Sequence, residues 1–306
     1  MPQSSPIAAF GPLLDALRGV KWPARHAVAA ALPGAHVSRL RGAAPELSEY
    51  RPYRQGDDPR RMDWRLLARS DRAFIRLAEE RSVLATVFLM DSSASMAWPR
   101  PGQDKWRRAT EMAVGLAAVA HASADPVGLV TPTASGMVRL PARTRRGTVA
   151  EFAQALGPVT PAGSVELAPA LRAISAGRVA IVSDFLGDAE SLLRIARVRL
   201  AAGGDVHAIH IVAREELDPA RGSLLATDPE TPSVARPLTS ASRDGYLAAF
   251  AAWRGELADA WRASGASYAM VTTDEPAAAA VRRVVAPASG PSPTAKAAHA
   301  AAEGNR

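Results

Sequence analysis

The stretch from Thr86 to Met96, TVFLMDSSASM, constrains the fold more than any other part of the chain. Val87-Phe88-Leu89-Met90 is a continuous apolar run that stops at Asp91. A β-branched and aromatic run without polar alternation fits a strand buried on both faces, as in a parallel sheet. Asp91, Ser93 and Ser95 then fall at the carboxyl end of that strand, where open α/β sheets bind their ligands. A carboxylate and two hydroxyls are oxygen donors of the kind hard divalent cations take.

The chain after Asp91 alternates regularly between helix and strand patterns. Helical periods cover Trp106–Ala122, Thr148–Leu156, Leu167–Ser175, Ala189–Ala201, Asp244–Arg262 and Ala277–Val285. Between them lie extended runs at Val127–Thr131, Met137–Leu140, Val179–Ser183, Val206–Val212 and Tyr268–Val271. Residues 222–239 read as a hairpin excursion. The alternation predicts a doubly wound, mainly parallel sheet flanked by helices, a Rossmann-type α/β architecture. The stripe Tyr246, Leu247, Phe250, Trp253, Leu257 and Trp261 reads as core packing.

Val179–Ser183 is a second buried strand, and it too ends on a carboxylate, Asp184. Two buried parallel strands present their carboxyl ends to one crevice, so Asp91 and Asp184 should be near neighbours. Two partly buried carboxylates with no basic partner repel, and a divalent cation removes that cost. Ser93, Ser95 and Ser164, the last in the loop Thr160–Ser164, would complete an oxygen-only shell. Mg2+ or another hard divalent cation is the expected ion.

Several classes are excluded or disfavoured by composition. The chain of 306 residues has no cysteine, so thiolate metal sites, disulfides and cysteine nucleophiles are out. No G-x-S-x-G, P-loop or dinucleotide glycine pattern is present. His121, His207 and His210 fall on helix or strand patterns and read as structural. No apolar stretch reaches the roughly 18 residues of a spanning helix, and the N-terminus lacks a secretory pattern, which makes cytoplasmic residence the expectation. Net charge is +7, and of 37 basic residues only Lys21, Lys105 and Lys296 are lysines. The arginine excess is dispersed and lacks interleaved aromatics, which disfavours nucleic acid as the partner.

The segment from 46 to 80 is the second informative one. Eight arginines and four aspartates lie between Arg51 and Arg76, a local balance of 8 − 4 = +4. Gln55-Gly56-Asp57-Asp58-Pro59 signals a turn, after which Pro59 can open a short helix capped by Asp58, with Met62, Trp64, Leu66 and Leu67 as its apolar face. Ala73–Leu77 looks like a strand. This charge density reads either as a self-paired covering of the sheet or as a docking surface.

The Asp91-x-Ser93-x-Ser95 pattern with distant Ser164 and Asp184 resembles the metal-ion-dependent adhesion site of von Willebrand factor A-type domains. Serine stands at Ser164 where that pattern has threonine. A longer run, Tyr53-x-x-Gly56-Asp57-Asp58-x-Arg60-x-x-Asp63-Trp64-x-x-x-Ala68-Arg69, is similar to the bacterial domain of unknown function 58 family. That resemblance implies a von Willebrand factor A-like domain acting as a partner of a MoxR-type AAA+ ATPase, not a reaction. Tyr53, Gly56, Asp57, Asp58, Arg60, Asp63, Trp64 and Arg69 would then be partner-binding or structural.

The expected organisation is an N-terminal helical extension over 1–45, the family segment and α/β domain over 46–285, and a disordered tail over 286–306. The leading functional reading is a non-enzymatic, metal-dependent protein-interaction module that docks an acidic partner group through the Asp91 site. Binding of nucleic acid through the arginine-rich face is the alternative, and metal-dependent hydrolysis a third.

Overall fold

A computed structural model describes residues 6–24, 33–37, 49–54, 59, 62–70, 72–77, 81–99, 104–220, 224–227, 230, 233 and 235–286. Its centre is a six-stranded sheet. The strands are β1 (Thr86–Met90), β2 (Val127–Thr133), β3 (Gly136–Arg143), β4 (Arg178–Ser183), β5 (Asp205–Val212) and β6 (Ser267–Thr272). Their spatial order is β6-β5-β4-β1-β2-β3, and only the β2–β3 pair is antiparallel. The order reverses between β1 and β4, which makes the ends of those two strands the switch point where a crevice opens.

Every side chain of β1 is buried, as its unbroken apolar run requires. Successive side chains alternate between the two faces. Phe88 and Met90 pack with helices α1 (Lys105–Ala122), α2 (Thr148–Leu156) and α6 (Ala277–Val285). Val87 and Leu89 pack with α3 (Leu167–Ala173), α4 (Ala189–Ala201) and α5 (Ser240–Ala263). The aromatic stripe of α5 is core at its end, where Trp261 is fully buried, and half-buried towards Tyr246.

The N-terminal segment packs onto the α1 face. A 3-10 turn over Pro6–Phe10 and a helix over Gly11–Ala16 lead to Leu17 and Trp22, both part of the core. Further along, the segment read as helical contains a strand, Pro33–Val37, paired antiparallel with Arg81–Ser82. That strand is set by long-range pairing, which local sequence pattern does not display. Residues 25–32 and 38–45 of the expected helical extension lie outside the described residues, as do 287–306 of the tail.

Glu49–Pro52 pairs antiparallel with Phe74–Leu77, and a short helix, Trp64–Ser70, lies between them in sequence. Asp63 caps that helix, its Oδ1 accepting from the backbone N–H groups of Arg65 and Leu66 at 3.1 and 3.0 Å. The expected cap, Asp58, lies outside the described residues. Leu224–Thr227 and Ala235–Leu238 form the expected hairpin. Among the described residues no helix is long and apolar enough to cross a membrane.

Candidate functional site

Register sets the site. β1 and β4 pair from Thr86↔Arg178 to Met90↔Val182, and Asp91 N–H donates to the Val182 carbonyl at 2.9 Å. Asp91 is therefore level with Ser183, not with Asp184. Strand alternation then sends Asp91 and Ser183 to the α3–α4 face and Asp184 to the α1 face.

On the α3–α4 face, the Ser183 hydroxyl donates to Asp91 Oδ2 at 2.5 Å, and the Ser93 N–H donates to Oδ1 at 2.9 Å. The hydroxyls of Ser93 and Ser95 lie 3.0 Å apart. Asp91, Ser93 and Ser95 are all buried. The loop carrying Ser164 is tied to them through the backbone. Ala94 N–H donates to Gly163 O at 2.8 Å, and Ala162 N–H donates to Ser92 O at 3.0 Å. Gly163 adopts φ +62°, which glycine enters without Cβ strain and which turns the loop towards the crevice. Ser164 is exposed and shares a cavity of about 440 Å³ with Asp91, Ser93, Glu166, Asp188 and Glu230. Four carboxylates and no basic side chain line that cavity among the described residues.

Burial, reinforced by the nearby Asp184 carboxylate, pushes Asp91 up to about 6, even though Ser183 and Ser93 donate to it. A cation beside it would reverse that shift. The hydroxyl spacing fits the same purpose, because cis ligands of an octahedral Mg2+ at about 2.0–2.1 Å stand about 2.9 Å apart. Asp91, Ser93 and Ser95, with Ser164 at the cavity wall, are thus a donor set suited to a hard cation. No group of three or more His, Cys, Asp or Glu suited to a metal exists among the described residues, so hydroxyls have to make up the set.

Asp184 meets a different environment. Its Oδ2 accepts from Lys105 Nζ at 2.7 Å, and its Oδ1 from the Leu186 N–H at 3.1 Å. Lys105 also donates to Glu216 Oε1 at 2.9 Å and is only 1% exposed. Burial opposes the ammonium charge, but the two carboxylates outweigh it and hold Lys105 above the ordinary lysine value. This corrects the expectation of two carboxylates without a basic partner. The alternation rule explains the correction: Asp184 faces the helix that Lys105 opens. Lys105 and Glu216 are the functional residues the sequence reading missed. One signal was available, since Lys105 is one of three lysines in a chain with 37 basic residues.

Phe185, next to Asp184, has φ +54°, a strained value for a bulky residue. Its N–H donates to Ser183 Oγ at 2.9 Å, and its ring packs on Trp261 and His210. This turn fixes the Ser183 hydroxyl against Asp91.

His207 and His210 are buried sheet residues, as read from the sequence. Burial, against a smaller opposing pull from Asp184, pushes His210 down to about 3. An unfolded histidine protonates near 6.5, so below that pH the unfolded chain binds a proton the folded one refuses. His210 therefore removes stability as pH falls from about 6.5 towards 3. Asp91 acts in the opposite sense between 3.8 and about 6, where the folded state holds the proton. His210→Gln should thus lose roughly 2 kcal/mol less stability than the natural chain between about pH 7 and about pH 5. Urea unfolding of both proteins measures this, and identical losses would refute it.

Of the other motif residues, Tyr53 is half-buried and its N–H donates to Ala73 O at 2.8 Å, joining the two ends of the motif segment. Asp63 caps the short helix and its N–H donates to Phe74 O at 2.9 Å. Trp64, expected on an apolar face, is 60% exposed, and Arg69 is exposed on the same helix. Gly56, Asp57, Asp58 and Arg60 lie outside the described residues.

A parallel sheet in this order with one antiparallel edge, and a D-x-S-x-S loop at the end of its central strand, define a von Willebrand factor A-like domain. The chain belongs to the family described as "Protein of unknown function DUF58", whose model matches residues 49–255. It is 29% identical over 284 residues to the uncharacterized protein Rv1480 of Mycobacterium tuberculosis and, to the same extent, to Mb1516 of Mycobacterium bovis. These alignments cover 90% of this chain and 89% of each relative. Among solved structures, BatB from Bacteroides thetaiotaomicron is similar with a TM-score of 0.42 and 14% identity, over 66% of this chain and 97% of that one. The SpRpn10 VWA domain is similar with a TM-score of 0.37 and 14% identity, over 65% and 93%. An aerotolerance-related membrane protein from Bacteroides fragilis matches with a TM-score of 0.41 and 13% identity, over 66% and 96%. The fold assignment rests on this chain's own strand order and register.

Proposed function

We propose that this chain is a metal-dependent protein-interaction module, in which Asp91, Ser93, Ser95 and Ser164 hold a divalent cation such as Mg2+ for an acidic group of a partner. The observation that carries the reading is the acidic cavity, lined by no basic side chain among the described residues, into which Asp91, Ser93 and Ser164 face. An acidic ligand is repelled by such a cavity unless a cation bridges the two. The cation supplies an electrophilic coordination position for the partner's carboxylate. This chain's own residues do the remaining work. Asp91 provides the charge, Ser183 and the Ser93 N–H orient it, and the Gly163 loop sets Ser164 at the mouth.

A MoxR-type AAA+ ATPase is the partner that the family resemblance implies, and the short helix bearing exposed Trp64 and Arg69 offers a second contact surface. The residues around Asp91 support binding over turnover. Its hydrogen-bond partners are a backbone amide and a serine hydroxyl, and no histidine or cysteine lines the cavity among the described residues.

The experiment is a pull-down of the MoxR-type ATPase from the same genome. Capture should require Mg2+, and chelation or Asp91→Ala should lower it by at least tenfold. Equal capture in all three conditions would sink the metal-bridged reading.

A further inference from the structure

We infer that Lys105 is a built-in counter-ion for Asp184, so that the cation site is confined to the Asp91 side of the sheet and Lys105 limits how tightly it binds. The inference rests on the metal-binding reading of the Asp91 cavity and goes beyond it, because it removes Asp184 from the direct ligands and gives Lys105 a role.

Three observations carry it. Lys105 Nζ sits 2.7 Å from Asp184 and 2.9 Å from Glu216, with its side chain 1% exposed. Lysine is almost never this buried unless paired. Both oxygens of Asp184 are engaged, one by Lys105 and one by the Leu186 N–H. The oxygens of Asp91, by contrast, accept from uncharged donors, the Ser93 N–H and the Ser183 hydroxyl.

The position of Lys105 is fixed by the backbone as well. It is the first residue of α1, its N–H donates to Trp98 O at 3.0 Å, and Asp104 caps the helix by accepting from Arg107 N–H at 2.6 Å. A compact ammonium fits between two carboxylates where a planar guanidinium demands bidentate geometry, which accounts for lysine here in an arginine-rich chain.

The charges then sort themselves. On the α1 face Asp184 and Glu216 carry two negative charges and Lys105 one positive, −2 + 1 = −1, whereas four carboxylates and no basic side chain line the Asp91 cavity among the described residues, so a divalent cation favours the cavity. The ammonium repels that cation from Asp184 and leaves Asp91 and its serines as the place for it. Lys105 is a positioning residue: it touches no ligand and acts by neutralising Asp184 on the α1 face.

Binding of Mn2+ to the full chain, followed by the electron paramagnetic resonance signal of the free ion with Mg2+ as competitor, tests this. Lys105→Met removes a positive charge beside the site and leaves the Asp184 charge uncompensated, so it should tighten binding by about tenfold or more, a gain that a merely structural lysine would not give. The double variant K105M/D184N removes the pair without changing net charge and should return to within about threefold of the natural chain. Asp91→Asn should lose about a hundredfold. The inference is overturned if K105M binds no more tightly than the natural chain, or if K105M/D184N loses as much as Asp91→Asn, which would make Asp184 a direct ligand. Either result leaves the Asp91 reading standing. Absence of Mn2+ binding in the natural chain and in every variant would overturn both. Should K105M alone fail to fold, the double variant against Asp91→Asn decides the matter.

Discussion

Replacing Arg178 with methionine is expected to lower the unfolding free energy by about 3–5 kcal/mol. Arg178 opens β4 at the amino end of the sheet, opposite the candidate site, and is fully buried. Its Nε donates to Asp205 Oδ2 at 3.2 Å, and Asp125 lies 3.9 Å from its Nη1. The guanidinium also donates to the carbonyls of Trp22 and Pro23 and stands 4.3 Å above the Trp22 ring. Removing it leaves buried Asp205 without its guanidinium partner, and the carbonyls of Trp22 and Pro23 without their Arg178 donor. An uncompensated buried charge costs more than the pair contributed. Asp205, held well below the usual carboxylate range with help from Arg178 and His207 against its burial, would lose part of that support. Denaturant unfolding at neutral pH measures the effect. A loss under about 1 kcal/mol would mean that the cluster is dispensable.

Trp22→Ala is expected to cost a similar amount, about 3–5 kcal/mol. Trp22 is 1% exposed, packs edge-on to His207 with centroids 4.9 Å apart, and lies 6.2 Å from Phe88. It stands outside the 49–255 segment that the family model matches, yet it is part of the main core. Truncation opens a cavity beneath β1 and β5 and removes the aromatic face under Arg178. Because the two residues touch, the double variant R178M/W22A should depart from additivity by about 0.5–3 kcal/mol. A Trp22→Ala protein with unchanged stability would show that the N-terminal segment does not dock on the sheet.

Most of the architecture was legible because periodicity is a local property. The apolar runs of β1 and β4 announced strands buried on both faces, and the 3.6-residue periods that follow announced the covering helices. The D-x-S-x-S loop was legible for the same reason, since the strand, its end and the ligand-type residues are contiguous. The strand Pro33–Val37, inside the expected helical extension, was not legible, because it exists only through its pairing with Arg81–Ser82. Trp64 was misread. An apolar residue at helical spacing predicts a buried face only where another element covers it, and here 60% of Trp64 stays in solvent.

Asp91 and Asp184 mark the boundary between the two kinds of information. By itself the sequence determined that each carboxylate ends a buried parallel strand, and hence that both lie at one edge of the sheet. It could not determine which faces they take. The pairing of Met90 with Val182 places Ser183 beside Asp91 and turns Asp184 to the other side, where Lys105 and Glu216, brought from 79 residues before it in the chain and 111 residues beyond Lys105, hold it. A shift of one residue in that register would have placed both carboxylates in one cavity. Register is fixed by the packing of both faces at once, a property of the folded molecule that no local stretch contains.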